Sequence, residues 1–132
     1  MTSKLGIQAR VQGSFDEVIE KTTAALKTED FGVLTRIDMH NTFKEKLGVD
    51  FRKYVILGAC NPPSAHRSIS ANAEVGLLLP CNVTVQEDGD AISVTAVNPE
   101  LMLGVLQGDP VVAAVAADVK AKLERVIARL SA

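Results

Sequence analysis

Residues 81–97 read CNVTVQEDGDAISVTAV, and they hold the clearest structural signal in the chain. Apolar and polar side chains alternate on both sides of Asp88-Gly89. The apolar positions are Cys81, Val83, Val85, Ile92, Val94 and Ala96. A period of two is typical of a strand with one buried face, and an Asp-Gly pair between two such runs favours a tight turn. The stretch therefore predicts a β-hairpin.

Three more strands are predicted before this hairpin. Residues 5–11 alternate apolar and polar side chains, and residues 33–38 follow a Phe-Gly pair as a second extended run. Residues 54–59 form a short, nearly continuous apolar run, which is typical of a central strand covered on both faces. That run delivers Cys60 and Asn61 to its end.

Two long helices and three short ones complete the pattern. Ser14 and Glu17 form a capping box that starts a helix over about 15–28, and Asp109-Pro110 starts an apolar-striped helix that reaches Leu130. Prolines or caps begin the short helices: Asp38 or Asn41 before a helix closed by Gly48, Asn61 before Pro62-Pro63, and Asn98 before Pro99.

This order predicts an α+β fold, a two-layer sandwich with a mainly antiparallel sheet and both long helices on one face. The 132 residues fit one domain over 1–132. The other sheet face needs a cover, and Val75 with Leu77, Leu78 and Leu79 offers more apolar surface than a solvated face needs. We therefore expect a homodimer that buries this run.

Composition argues against two classes of partner. The chain has 14 Lys+Arg against 16 Asp+Glu, one Tyr and no Trp, so it lacks the basic stripe and the stacking rings of a nucleic-acid-binding protein. No segment approaches the roughly 18 apolar residues of a membrane span or has the features of a signal peptide. We expect a cytoplasmic protein that binds neither nucleic acid nor membrane, with Cys60 and Cys81 reduced.

The candidate site is a pocket built from residues near two strand ends. The residues are Asp38, Cys60, Asn61, His66, Arg67, Cys81 and Asn82. Cys60 precedes the helix that begins at Pro62, where the helix dipole together with His66 or Arg67 would activate a thiol. Two buried cysteines that only pack a core are the alternative.

Other chemistry has weaker support in the sequence. Cys60, His66 and Cys81 are candidate ligands for zinc or copper, with Asp38 or His40 as a further ligand, but no chelate motif joins them. Arg36 and Arg67 are candidate anion ligands, for which surface ion pairing is the ordinary explanation. The sequence leaves any cofactor unknown.

Six short blocks of this chain resemble the domain-of-unknown-function family 302. They lie at residues 36–38, 46–48, 54–62, 65–66, 76–82 and 98–99, in the family's order, and the likeness runs from about Ile7 to Leu130. The resemblance implies a fold like that of the TATA-box-binding protein, strand-helix-four strands-helix, a tendency to dimerise and no DNA binding. It implies no catalytic residues, since the family has no established activity.

The resemblance also affects how the cysteines are interpreted. Many members have a plain Gly-Asn-Pro where this chain has Ala59-Cys60-Asn61-Pro62, so a cysteine-based activity would belong to a subset of the family. Asp38, Asn61, Pro62 and Pro80 would then be fold determinants.

Three functions remain open from the sequence. The first is a dimeric binding protein for a small or thiol-linked ligand. The second is a redox or sulfur-relay enzyme, with Cys60 as nucleophile, Cys81 as resolving thiol and a sulfur-carrier protein as partner. The third is a structural or regulatory dimer without a ligand.

Overall fold

A computed structural model describes residues 5–106 and 108–131. Five strands form one antiparallel sheet in the order β1-β5-β4-β3-β2. The strands are β1 (Gly6–Val11), β2 (Gly32–Asp38), β3 (Tyr54–Cys60), β4 (Cys81–Asp88) and β5 (Ala91–Val97). The helices are α1 (Phe15–Lys27), α2 (Met39–Leu47), α3 (Pro62–Ala71), α4 (Pro99–Met102) and α5 (Pro110–Ser131), with 3₁₀ helices at Ala73–Leu78 and Leu103–Leu106.

The β4–β5 hairpin forms as predicted. Val85 pairs with Val94 and Asp88 with Ala91, and Gly89 takes the left-handed conformation, with φ of 65°, that the turn requires. Leu57, Val83, Ala96 and Ile7 then lie in register across four strands, and all four are buried. One face of the sheet is therefore the core face.

The long helices α1 and α5 cover that core face. Val18 and Leu26 of α1 and Leu123 and Val126 of α5 are completely buried and belong to the same apolar cluster as the strands. Both predicted caps are present, because Ser14 Oγ accepts the Glu17 N–H and Asp109 accepts the first N–H groups of α5. The predicted α+β sandwich is confirmed.

Within residues 5–106 and 108–131, no helix combines the length and hydropathy that crossing a bilayer demands.

The second helix differs from the prediction at its start. Asp38 occupies the N-cap position, but its side chain accepts no capping hydrogen bond and pairs instead with Arg36 Nε at 2.8 Å. Ion pairing to a neighbour two residues away replaces the cap. Arg36 thereby has a carboxylate partner already, which weakens it as a ligand for an external anion.

The third strand is an interior strand, as predicted, but it is not covered on both faces. It lies between β2 and β4, while β4 is the middle strand. Val55 and Leu57 face the core, whereas Ile56 pairs with Ile37 on the other face, where both retain exposure. Gly58 is required here, since an added Cβ would meet the Thr35 hydroxyl and lie 2.8 Å from Pro80 Cγ.

The apolar run at residues 75–79 does not cover the open sheet face. Val75 is completely buried, and Leu78 and Leu79 pack with it against Leu103 in a second, smaller apolar cluster beside α5. Leu77 alone projects, with 83% exposure. The prediction that the run packs against a second chain on the open sheet face therefore does not describe Val75, Leu78 and Leu79, which pack within the helix layer of the same chain.

Candidate functional site

A cavity of about 40 Å³ lies where the ends of β3 and β4 meet α3 and α5. Most of its walls are apolar. The lining residues are Phe31, Ala59, Cys60, Asn61, Ser64, Ala65, Ser68, Leu79, Pro80, Cys81, Pro99, Leu103, Val115 and Val119. Of the predicted site, Cys60, Asn61 and Cys81 therefore meet at one place.

Cys81 is the buried thiol of the pair. It is paired with Ala59 at the start of β4 and is 7% exposed. Burial, and secondarily the neighbouring Cys60, raises the pKa of Cys81 to about 11. At neutral pH only roughly one Cys81 side chain in ten thousand is then a thiolate. Cys81 is thus held as a neutral thiol.

Cys60 is the more accessible thiol. It ends β3 opposite Gly32, is half-buried, and directly precedes the residue that caps α3. Both cysteines are free rather than joined in a disulfide. Of the two thiols whose residues line the cavity, Cys60 is therefore the more accessible and Cys81 is the one held protonated.

The N-terminus of α3 offers no free backbone donor to a thiolate or anion. Pro62 and Pro63 have no N–H, the Ser64 N–H is bonded to Asn61 Oδ1 at 3.2 Å, and the Ala65 N–H is bonded to the Asn61 carbonyl at 2.9 Å. The expected activation of Cys60 by this helix end therefore cannot operate through N–H groups.

Asn61 fixes the wall of the cavity from both ends of its amide. While its Oδ1 caps α3, its Nδ2 donates to the Glu29 carbonyl at 3.1 Å. The Glu29 carboxylate in turn accepts from Arg125 of α5 at 2.8 Å. This chain ties the start of α3 to the end of α1 and to α5.

Ser64 supplies the polar group that is left for an occupant. It is only 4% exposed and lines the cavity, while its hydroxyl makes none of the hydrogen bonds found among the described residues. The Ser68 hydroxyl differs, because it donates to the Ala65 carbonyl at 3.2 Å. Among the described lining residues, two thiols and the Ser64 hydroxyl thus keep a proton that is not used in a hydrogen bond within the protein.

Four residues of the predicted pocket do not border this cavity. Asp38 pairs with Val55 at the far end of β3, about 17 Å along the strand from Cys60. His66 and Arg67 lie on exposed positions of α3, and Asn82 is exposed on the open sheet face. The direction of β2 places Asp38 at the other end of the sheet, whereas helical and strand periodicity turn the other three side chains away from the cavity.

The candidate metal ligands do not come together in the described part of the chain. Within the part of the chain that the structure describes, no three His, Cys, Asp or Glu side chains come close enough to hold an ion. His40, the other histidine considered, accepts the Tyr54 N–H on its Nδ1 at 3.0 Å and so helps to position the start of β3.

The sequence did not single out Ser64 or the α5 wall of the cavity. Val115 and Val119 were visible only as part of an apolar helical stripe, and nothing in that stripe marks which of its turns faces a cavity. Only one feature of the sequence pointed to Ser64, its position three residues after the N-cap Asn61. That position predicts a hydrogen bond for the Ser64 backbone N–H, but it predicts nothing about the side chain.

Comparison with known proteins bears on the family. Residues 7–130 match the family model described as Domain of unknown function DUF302. The chain is similar to the crystal structure of an uncharacterized conserved protein DUF302 from Bacillus stearothermophilus, with 31% identity and a TM-score of 0.88, over 97% of this chain and 99% of that chain. No curated protein matches. The expected resemblance is thereby confirmed, and the chain belongs to the DUF302 family.

Proposed function

We propose that this protein is a dimeric, thiol-linked small-ligand binding protein, in which Cys60 carries a small group inside the cavity. The observation that supports this most is the convergence of two free thiols and a buried hydroxyl on one mostly apolar cavity. Small-molecule sites typically combine apolar walls with a few polar groups in this way.

The size of the cavity limits the ligand. A volume of 40 Å³ corresponds to about three water molecules, since roughly 10–15 Å³ in this measure holds one. A group of one to three heavy atoms fits inside it, whereas most of a nucleotide or a sugar would lie outside. The protonated Cys81 and the apolar lining favour an uncharged group.

A carrier role agrees better with the thiols than a dithiol redox enzyme does. Thiol–disulfide exchange needs a thiolate, and the high pKa of Cys81 keeps that residue protonated. Cys81 is therefore poorly suited to attack a group bound to Cys60. The proposal thus favours binding over the redox alternative with Cys81 as resolving thiol.

The test compares Ala65→Leu, which fills the cavity, with His66→Leu, which adds the same side chain at the adjacent exposed position. The equilibrium for forming a methyl disulfide on Cys60 would be measured with dimethyl disulfide and methanethiol by peptide mass mapping. Because burying a methylthio group is worth about 1.5 kcal/mol, we expect the Ala65→Leu constant to fall about tenfold.

The His66→Leu constant should equal that of the unmodified protein. Equal constants in all three proteins would show that the group on Cys60 does not enter the cavity, and a ligand-free structural role would then be the better explanation. Circular dichroism of each variant would confirm that it is folded before the constants are compared.

The homodimer is part of this proposal, with a different surface from the one first expected. Ile37 and Ile56 pair on the open face of β2 and β3, and Tyr54 lies on that face too, with the Phe51 ring 6.4 Å from its own. We call these four residues the β2–β3 patch. Ile37 is 46% and Phe51 43% exposed. Such a patch is typical of an interface, and a second copy of the same patch would cover it.

Sedimentation velocity of Ile37→Lys and Leu77→Lys would test this surface. A buried lysine without a partner disrupts an interface, so we expect Ile37→Lys to be monomeric and Leu77→Lys to remain a dimer. Leu77 is the control because it is the most exposed of the residues first expected at the interface. A dimer for Ile37→Lys, or a monomer for the unmodified protein, would contradict the proposal.

A further inference from the structure

We infer that the group held on Cys60 is sulfane sulfur, bound as a persulfide whose outer sulfur occupies the cavity. This inference rests on the proposed function, and it names the chemical class of the ligand. The donor would be a persulfide of a small thiol or of a protein thiol, and the acceptor another thiol.

The size and the apolar lining of the cavity favour a single sulfur atom as the group bound to Cys60. The cavity of about 40 Å³ has room for one sulfur atom bonded to Cys60 Sγ, and apolar side chains form most of its wall. Sulfur is soft, polarizable and weakly hydrated, so it loses little when apolar surfaces replace water. Ser64 adds one hydroxyl that can donate a hydrogen bond to the outer sulfur.

Oxygen-rich and anionic groups fit less well. A sulfinate on Cys60 carries charge and needs several donors, but the N–H groups of Ser64 and Ala65 are already bonded and the two residues before them are prolines. No Lys or Arg is among the residues that line the cavity. A persulfide is ordinarily an anion at neutral pH, but burial in an apolar cavity favours its protonated form, which requires neither a cation nor a set of donors.

Loading needs no oxidant. The thiolate of Cys60 attacks the outer sulfur of a donor R–S–SH, so that an S–S bond forms at Cys60 while the S–S bond of the donor breaks. The outer sulfur keeps its proton, and the electron pair leaves on the donor as R–S⁻. Unloading is the same exchange in reverse, with the thiolate of an acceptor attacking the outer sulfur.

Cys81 would protect the loaded state. If its thiolate attacked Cys60 Sγ, a Cys60–Cys81 disulfide would form and hydrosulfide would leave, which destroys the cargo. Burial keeps Cys81 protonated and therefore suppresses this attack. The neighbouring thiol is then a packing residue of the site and not a resolving nucleophile.

The experiment loads reduced protein with glutathione persulfide without oxygen, removes the reagent, and follows the bound sulfur by intact mass. We expect one added sulfur atom per chain, mapped to Cys60, and slow loss of that atom to cyanide, which takes sulfane sulfur as thiocyanate. In Ala65→Leu the loss should be several-fold faster, and in His66→Leu it should be unchanged.

Ser64→Ala gives a second variant in case Ala65→Leu does not fold. It keeps the apolar walls and removes the hydroxyl, so we expect faster loss of sulfur there as well. Cys81→Ser should load like the unmodified protein, because Cys81 takes no part in loading.

Three results would overturn the inference: no added sulfur, loss at the same rate in all variants, or rapid formation of a Cys60–Cys81 disulfide with release of sulfide. The methyl disulfide equilibrium distinguishes a failure of the persulfide inference from a failure of the proposed function. If that equilibrium depends on Ala65 while glutathione persulfide fails to load, the cavity binds another small group. If neither depends on Ala65, the proposed function fails too.

Discussion

Asn61 and Cys81 show how much depends on single side chains. The Asn61 amide makes both of its hydrogen bonds inside the protein, one to the Ser64 N–H and one to the Glu29 carbonyl. For Cys81, burial and secondarily the neighbouring Cys60 favour the neutral form of the thiol and raise its pKa. Asn61 thus positions a wall of the cavity, and Cys81 contributes an uncharged thiol to its lining.

The high pKa of Cys81 should make folding stability depend on alkaline pH. The folded value of about 11 lies above the value of 9.0 for a free thiol, so the native state binds more protons. The contribution is complete below pH 9 and is lost as pH rises through 11. A shift of this size corresponds to about 3 kcal/mol.

The measurement is urea unfolding of the unmodified protein and of Cys81→Ala across that pH range. The difference between the two proteins isolates Cys81 from other groups that titrate there. We expect the unmodified protein to lose more stability than Cys81→Ala as pH rises. Parallel curves would show that Cys81 titrates normally.

The helices are positioned by contacts at their ends as well as by their apolar faces. Glu29, in the turn after α1, joins the Asn61 cap of α3 through its carbonyl and Arg125 of α5 through its carboxylate. The hydrogen bond from Arg125 holds the pKa of Glu29 below its usual value. The cavity between α3 and α5 therefore depends on this junction.

The Glu29–Arg125 contact should stabilise the fold at neutral pH and not in acid. A lowered carboxyl pKa contributes stability above the usual value of 4.5, and this stability is lost as pH falls through the folded pKa. A double-mutant cycle with Glu29→Gln and Arg125→Gln, followed by urea unfolding, measures the coupling. We expect a small favourable coupling at neutral pH that disappears in acid, and a coupling unchanged by pH would contradict the assignment.

The molecule has two unlike faces. Helices α1 and α5 bury the core face of the sheet, whereas the face that carries the β2–β3 patch is open in a single chain. The main apolar cluster includes residues of four strands and both long helices, among them Ile7, Val18, Val55, Val94 and Val126, and the half-buried Val33 of β2 packs against it. Because this one cluster spans the fold, we propose that the chain is a single domain that unfolds in one step.

Alkylation of Cys81 would test cooperative unfolding. Cys81 belongs to the main cluster and is almost fully buried, so it should react only when the whole fold opens. In a Cys60→Ser background, we expect the urea midpoint of Cys81 labelling to coincide with that of circular dichroism. Labelling at much lower urea would indicate that the cavity region opens as a separate unit.

Local sequence pattern was sufficient for the elements. The alternation around Asp88-Gly89, the capping box at Ser14 and the cap at Asn61 each involve neighbours a few residues apart, so they predicted a hairpin and two helix starts that the structure confirms. The convergence of Cys60, Asn61 and Cys81 depended in addition on the pairing of β3 with β4, which the local pattern did not determine.

Contacts between distant segments determined which residues are buried and which lie at the cavity. Residues 75–79 are apolar, but only the tertiary packing beside α5 shows that Val75, Leu78 and Leu79 pack within the chain while Leu77 stays exposed. Asp38 and His66 have suitable chemistry, yet strand direction and helix rotation place them away from the cavity. The link from Arg125 to Glu29 joins residues 96 positions apart, and such pairing has no local signature because side-chain chemistry alone does not specify a distant partner.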